Sequence, residues 1–229
     1  MRNYSKTLLI ALGLAASAAA HGKVHLFLLS GQSNMAGLNP KVSFIPTIEA
    51  AFPDDKCVFV KSAQGGQPIR RWYKKWKSAD GDTLNSKGDL YDKLIAAINP
   101  QLGDQKFDTL TFVWMQGERD AKEKHGSVYA KSLQGLIDQL KDDMKHEDMK
   151  FVIGRLSDFG NDPARKYADW MVVREAQVKV AEASPNGAWI DTDDLNGRNN
   201  GLHYPKDGYA EMGKRFAEAA IKLLKGDCK

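Results

Sequence analysis

Several things are scarce in this 229-residue chain. Cysteine occurs only as Cys57 and Cys228, and two cysteines alone do not make a zinc site. A chain of this length buries a sizeable core without disulfide or metal staples. Charge excess is also missing. The formal charge is +4 and drops to +2 once Arg2 and Lys6 are set aside, too little to mark a nucleic-acid partner. Internal repeats and low-complexity tracts are absent. After the first twenty residues no apolar run approaches a transmembrane length. What remains is one domain, 42% hydrophobic and 27% charged, an ordinary globular composition.

Residues 1–20 read as a signal peptide. Arg2 and Lys6 form a basic start, Leu8 to Leu14 a short apolar stretch, and Ser17-Ala18-Ala19-Ala20 a small-residue cleavage site. The expected mature domain is 21–229, exported to the periplasm or secreted, with no membrane attachment after cleavage. A retained N-terminal anchor is the alternative. In an oxidising compartment Cys57 and Cys228 either pair or stay as separate thiols.

The remaining chain alternates short apolar runs with longer helical patterns. Strands are expected at Val24–Leu29, Cys57–Lys61, Thr109–Met115, Phe151–Leu156 and Ala188–Asp191. Helices are expected near Pro46–Ala51, from Leu90 to just before Pro100, around Tyr129–Met144, over Tyr167–Ala183 and over Lys206–Leu224. Such alternation implies right-handed βαβ units and a parallel sheet covered on both faces. The expected architecture is an α/β fold, a three-layer α/β/α sandwich with five parallel strands in the flavodoxin-like order 2-1-3-4-5.

Ligands of such sheets bind at the carboxyl ends of the strands. The loops expected there carry Gln32, Ser33 and Asn34; then Gly65 and Gly66; then Gln116, Glu118 and Asp120; then Asp191, Asp193, Asp194, Asn200 and His203. A serine nucleophile needs a base within hydrogen-bond reach, and His203 is the histidine best placed to serve. Backbone amides of Ser33 and Gly66, with the Gln116 side chain, suit a developing oxyanion. A plainer reading stands beside each: a serine in a strand-to-helix turn caps the helix, a glycine pair makes a turn, and acids open a helix favourably.

The blocks Gly31-Gln32-Ser33-Asn34-Met35, Ala63-Gln64-Gly65-Gly66, Trp114-Met115-Gln116-Gly117-Glu118-Arg119-Asp120-Ala121 and Gly201-Leu202-His203-Tyr204 resemble those of SGNH-type hydrolases. Within that group they most resemble the sialate O-acetylesterase-like and acetylxylan-esterase-like branch (carbohydrate esterase family six and its relatives). The resemblance implies hydrolysis of acetyl esters on carbohydrate without metal or organic cofactor. It implies Ser33 as nucleophile, His203 as base, and Ser33, Gly66 and Gln116 as oxyanion donors. Glu118 matches an acid that organises the site. One position departs: the family's aspartate three residues before the histidine is Asn200 here. Either Asn200 orients His203, or Asp194 or Glu118 supplies the carboxylate, or the chain binds acylated sugar and hydrolyses it poorly. A G-x-S-x-G elbow is lacking, which argues against the α/β-hydrolase fold.

The segment Gln67–Lys77 interleaves Trp72, Tyr73 and Trp76 with Arg70, Arg71, Lys74, Lys75 and Lys77. Overhanging the site, Arg70, Trp72 and Trp76 would meet sugar rings and sugar carboxylates. The alternative is that the aromatics pack inward.

Overall fold

The computed structural model describes residues 22–226. Residues 1–20, read above as a signal peptide, and Cys228, and with it the Cys57–Cys228 pairing, lie outside that range. Five strands form one sheet: β1 (Val24–Gly31), β2 (Lys56–Ala63), β3 (Thr109–Met115), β4 (Lys150–Gly154) and β5 (Gly187–Ile190). All pairings are parallel, and the order is β2-β1-β3-β4-β5, as expected. The helices are α1 (Ser33–Gly37), α2 (Phe44–Ala51), α3 (Asp89–Ala96), α4 (Asn99–Leu102), α5 (Glu118–Lys122), α6 (Gly126–Met144), α7 (Trp170–Glu182) and α8 (Lys206–Lys225). The neighbouring pair α2 and α8 covers one face. The other is covered by α3, α6 and α7.

Burial follows from this layering. Every residue of β1 is buried, as are nearly all of β3 and β4, because helices lie on both sides. The edge strands β2 and β5 are mostly half-buried, so the expectation of doubly buried runs holds only at the centre. On α8, Met212, Phe216, Ala220 and Leu223 face the sheet at helical spacing. The helix expected to stop before Pro100 does so, at Ala96, and a separate short helix, α4, begins around that proline. Proline is tolerated there because a first-turn residue has no intrahelical acceptor for its missing N–H.

Register places the site. Gly31 of β1 lies opposite both Ala63 of β2 and Met115 of β3. Three strands therefore end level with one another, and their loops leave the same edge. Gly31 has φ +145°, and a Cβ there would collide with the Met115 carbonyl. The same carbonyl accepts the Gln32 N–H at 2.9 Å, so the chain turns while still bonded to β3. Gly31→Ala combines a strained φ with a backbone clash. It should destabilise the fold by about 3 kcal/mol or more, read by denaturant unfolding. A loss below about 1 kcal/mol would show that the turn relaxes freely.

Candidate active site

Ser33 opens α1, directly past the end of β1. Its N–H and that of Gly66 have no acceptor among the described residues. Gly66 has φ +68°, and the side where a Cβ would stand is open. Gly65 lies close, since a Cβ built on it would touch the Ser33 side chain at 3.5 Å. A cavity of about 360 Å³ is lined by Ser33, Gly66, Glu118, Tyr167 and His203, with Gln32, Gly65, Arg119, Lys122 and Leu202. Five segments, far apart in sequence, thus meet in one pocket.

Asn34 holds these loops together. Its buried Nδ2 donates to Glu118 Oε1 at 2.9 Å and to the Leu202 carbonyl at 3.1 Å. Its Oδ1 accepts the Tyr209 hydroxyl at 3.2 Å. The turn carrying the serine is thereby fastened to the acid of the third loop, to the backbone beside His203, and to α8. The sequence placed Asn34 in a motif block without showing this three-way role. Tyr167, Arg119 and Lys122 were also missed as pocket residues. The first was read as the opening residue of a helix over Tyr167–Ala183, whereas α7 begins only at Trp170 and leaves Tyr167 in the loop before it; the other two look like an ordinary charged helix.

Glu118 is 2% exposed. Burial pushes its carboxyl up to about 7, against the lowering effect of the Asn34 hydrogen bond. Its Oε2 is buried without a hydrogen-bond partner among the described residues. Asp120, also buried, is likewise pushed up to about 7 by desolvation. It accepts from Ile69 N at 2.8 Å and from Gln116 Nε2 at 2.6 Å.

Several expected roles change in this structure. Gln116 is fully buried, and its Nε2 has three acceptors for two hydrogens: Asp120, the Gln67 carbonyl at 3.0 Å and Gln32 Oε1 at 3.3 Å. It pins the Gly65-Gly66-Gln67 turn to α5 and does not line the pocket. Asp194 forms a two-pronged pair with Arg215, both bonds at 2.6 Å, which holds its carboxyl below the usual range. It is committed to α8. Asn200 stands at φ 43°, and its Oδ1 accepts from Asn196 Nδ2 at 2.6 Å. His203 is exposed and makes no side-chain hydrogen bond among the described residues.

The aromatic segment packs inward. Trp72 and Trp76 are each 1% exposed. Trp72 Nε1 donates to Ser30 Oγ at 3.0 Å, and its ring meets Trp114 edge-on at 5.2 Å. Trp76 packs against His125 at 5.1 Å, with Arg70 above its ring. Arg70 pairs with Glu123 at 2.5 Å. The physical reason is area: burying one indole removes roughly 200 Å² from water, about 5 kcal/mol by surface bookkeeping. These three residues are therefore not sugar contacts; the exposed members of the segment are its lysines.

The buried Glu118 gives a pH test of this geometry. Between its ordinary value of 4.5 and about 7, the folded state keeps a proton that the unfolded chain has lost. Its contribution to stability therefore falls as pH rises across that window. Relative to Glu118→Gln, the parent protein should lose unfolding free energy between pH 4.5 and 7, followed by denaturant titration. A constant difference across the window would mean that the carboxyl is solvated.

A family model described as "Carbohydrate esterase, sialic acid-specific acetylesterase" matches residues 36–222. A relative named probable carbohydrate esterase, from Arabidopsis thaliana, is 22% identical over 208 residues, covering 88% of this chain and 70% of that protein. The solved structure of that Arabidopsis protein superposes with TM-score 0.66 at 18% identity, over 90% of this chain and all of the other. A carbohydrate acetylesterase from Xanthomonas citri gives TM-score 0.66 at 20% identity, over 90% of this chain but 57% of that one. A lipase/acylhydrolase from Enterococcus faecalis shares the fold more distantly, at TM-score 0.51 and 15% identity. With the model covering most of its length, the chain belongs to the sialic acid-specific acetylesterase family of carbohydrate esterases.

Proposed function

We propose that the chain is an exported serine esterase that removes O-acetyl groups from carbohydrates through an acetyl-enzyme on Ser33. One observation carries the reading: a serine just past the end of β1 shares a pocket with His203 and with two backbone N–H groups that have no acceptor among the described residues. In the proposed reaction Ser33 Oγ attacks the acetyl carbonyl and passes its proton to His203. The oxyanion accepts from Ser33 N–H and Gly66 N–H. Collapse expels the sugar hydroxyl, which takes the proton from His203. Water then attacks the acetyl-enzyme with His203 as base, releasing acetate and restoring Ser33.

Glu118 is the acid assigned to support His203. Asp194 is engaged by Arg215 and the Asn200 oxygen by Asn196, whereas Glu118 lines the same pocket as His203 with one oxygen unclaimed. A carboxylate stabilises the imidazolium where an asparagine does not. The support requires Glu118 ionised, so activity rises as pH passes through about 7. A second reading, a sugar-binding protein with little activity, draws on Asn200 and on the lack of a Ser33–His203 hydrogen bond among the described residues.

Ser33→Ala should abolish acetate release from an aryl acetate, and a serine-directed organophosphonate should label the parent at Ser33. An unlabelled, inactive parent favours the binding reading; hydrolysis at the parental rate by Ser33→Ala removes Ser33 as nucleophile. Glu118→Gln should lower kcat by roughly two to four orders of magnitude and abolish the rise through pH 7. Asn200→Asp should leave kcat within about threefold of the parent, because the motif position is not where the acid sits. A large gain would instead assign the orienting role to residue 200.

A further inference from the structure

A second cavity, of about 520 Å³, lies beyond the first. Two chain segments line both. Tyr167 is a wall of each, and α5 and its continuation contribute Lys122 to the first and Lys124 to the second. Lys166, next to Tyr167, completes a row of cations along this path. Lys122, Lys124 and Lys166 are exposed and enter no ion pair among the described residues. Glu123 is held by Arg70 and Arg119. Asp162 is the one carboxylate lining the second cavity, against Lys124 and Lys166; it takes the Ala164 N–H and lies 3.7 Å from Arg165, which leaves the lining with a net positive charge.

The backbone fixes two of these cations. Lys124 has φ 60° and Lys166 φ 58°, left-handed positions that an ordinary residue enters only at a cost. The ridge between the cavities is firm as well. Tyr167 packs on Trp170 at 5.0 Å and on Phe159 at 5.8 Å. An exposed row of unpaired lysines repels itself unless something anionic lies along it. Beside a half-buried tyrosine ring, which offers an apolar face and a polar tip, the fitting ligand is a sugar bearing an anionic group.

We infer that the pocket at Ser33 continues past Tyr167 into a second subsite that takes an anionic sugar residue, so that the substrate is an O-acetylated acidic oligosaccharide or polysaccharide. The acetylated residue occupies the Ser33 pocket, and its neighbour sets a carboxylate or sulfate between Lys124 and Lys166. Placing the acetyl group at Ser33 rests on the esterase reading above; the anionic subsite does not.

The test uses Ser33→Ala protein, which binds without turnover, and calorimetry with trigalacturonate, a sulfated disaccharide and neutral xylotriose. Trigalacturonate should bind at least about tenfold more tightly than xylotriose at low salt, with the advantage shrinking as salt is raised. Adding Lys124→Gln and Lys166→Gln should remove most of that advantage in protein whose circular dichroism is unchanged. Tighter binding of the sulfated sugar would keep the subsite and assign it to sulfate. Equal affinity for acidic and neutral sugars, no binding of any acidic sugar, or an advantage that survives the double substitution would overturn the inference. Because none of these outcomes depends on hydrolysis, failure here leaves the aryl acetate test of Ser33 standing, and the reverse also holds.

Discussion

One carboxamide fixes the geometry on which the rest of the site depends. A parallel sheet brings strand ends level, but it does not tell the loops beyond them how to lie against each other. Asn34 does so by spending both amide hydrogens and its oxygen on three different parts of the chain. Each such bond contributes only about 0.5–1.5 kcal/mol net. Their importance lies in what their loss would strand: a buried Glu118 oxygen and the carbonyl of half-buried Leu202 beside His203. The energy landscape near the nucleophile is therefore steep for loop displacement while the pocket itself stays open.

The acids of the molecule divide by environment. Asp89 and Asp194 sit beside Arg71 and Arg215, whose hydrogen bonds hold them below the ordinary carboxylate range. Glu118 and Asp120 have no arginine partner among the described residues and are raised by desolvation. Two buried, raised carboxyls do not add to stability, and here they stand two residues apart at the strand-three edge, the kind of cluster that marks candidate functional sites. Asp120 serves the neighbouring loop through Gln116 and Ile69, while Glu118 faces the pocket. Each keeps one buried oxygen without a partner among the described residues, so what separates them is place: Glu118 lines the pocket and Asp120 does not.

Much of the fold was legible because it rests on local pattern. Apolar runs such as Thr109–Met115 and the helical stripe of α8 are fixed by burial, and burial leaves its trace in residue type. Ser33, Gly66, Glu118 and His203 were also legible as neighbours, since loops after parallel strands share an edge. Trp72 and Trp76 were not, because an indole reads the same in sequence whether it faces a sugar or a core. Gln116 misled for a related reason: an amide at the right loop position can point into the pocket or away, and Asp120 decides which. The lysines at 122, 124 and 166 look like solvated charge until the fold sets them along one path.

The two ends of the sheet carry a different implication. Edge strands invite further strands to add. Here β5 has only four residues, and its Trp189 lies beneath the Arg155 guanidinium. On the other side β2 carries Lys56 and Lys61, the latter tied back to the carbonyls of Ala36 and Leu38. Shortness at one edge and anchored positive charge at the other make strand-to-strand polymerisation unfavourable. The sheet is thus closed to other copies of the chain even though the pocket at its strand ends is open to solvent.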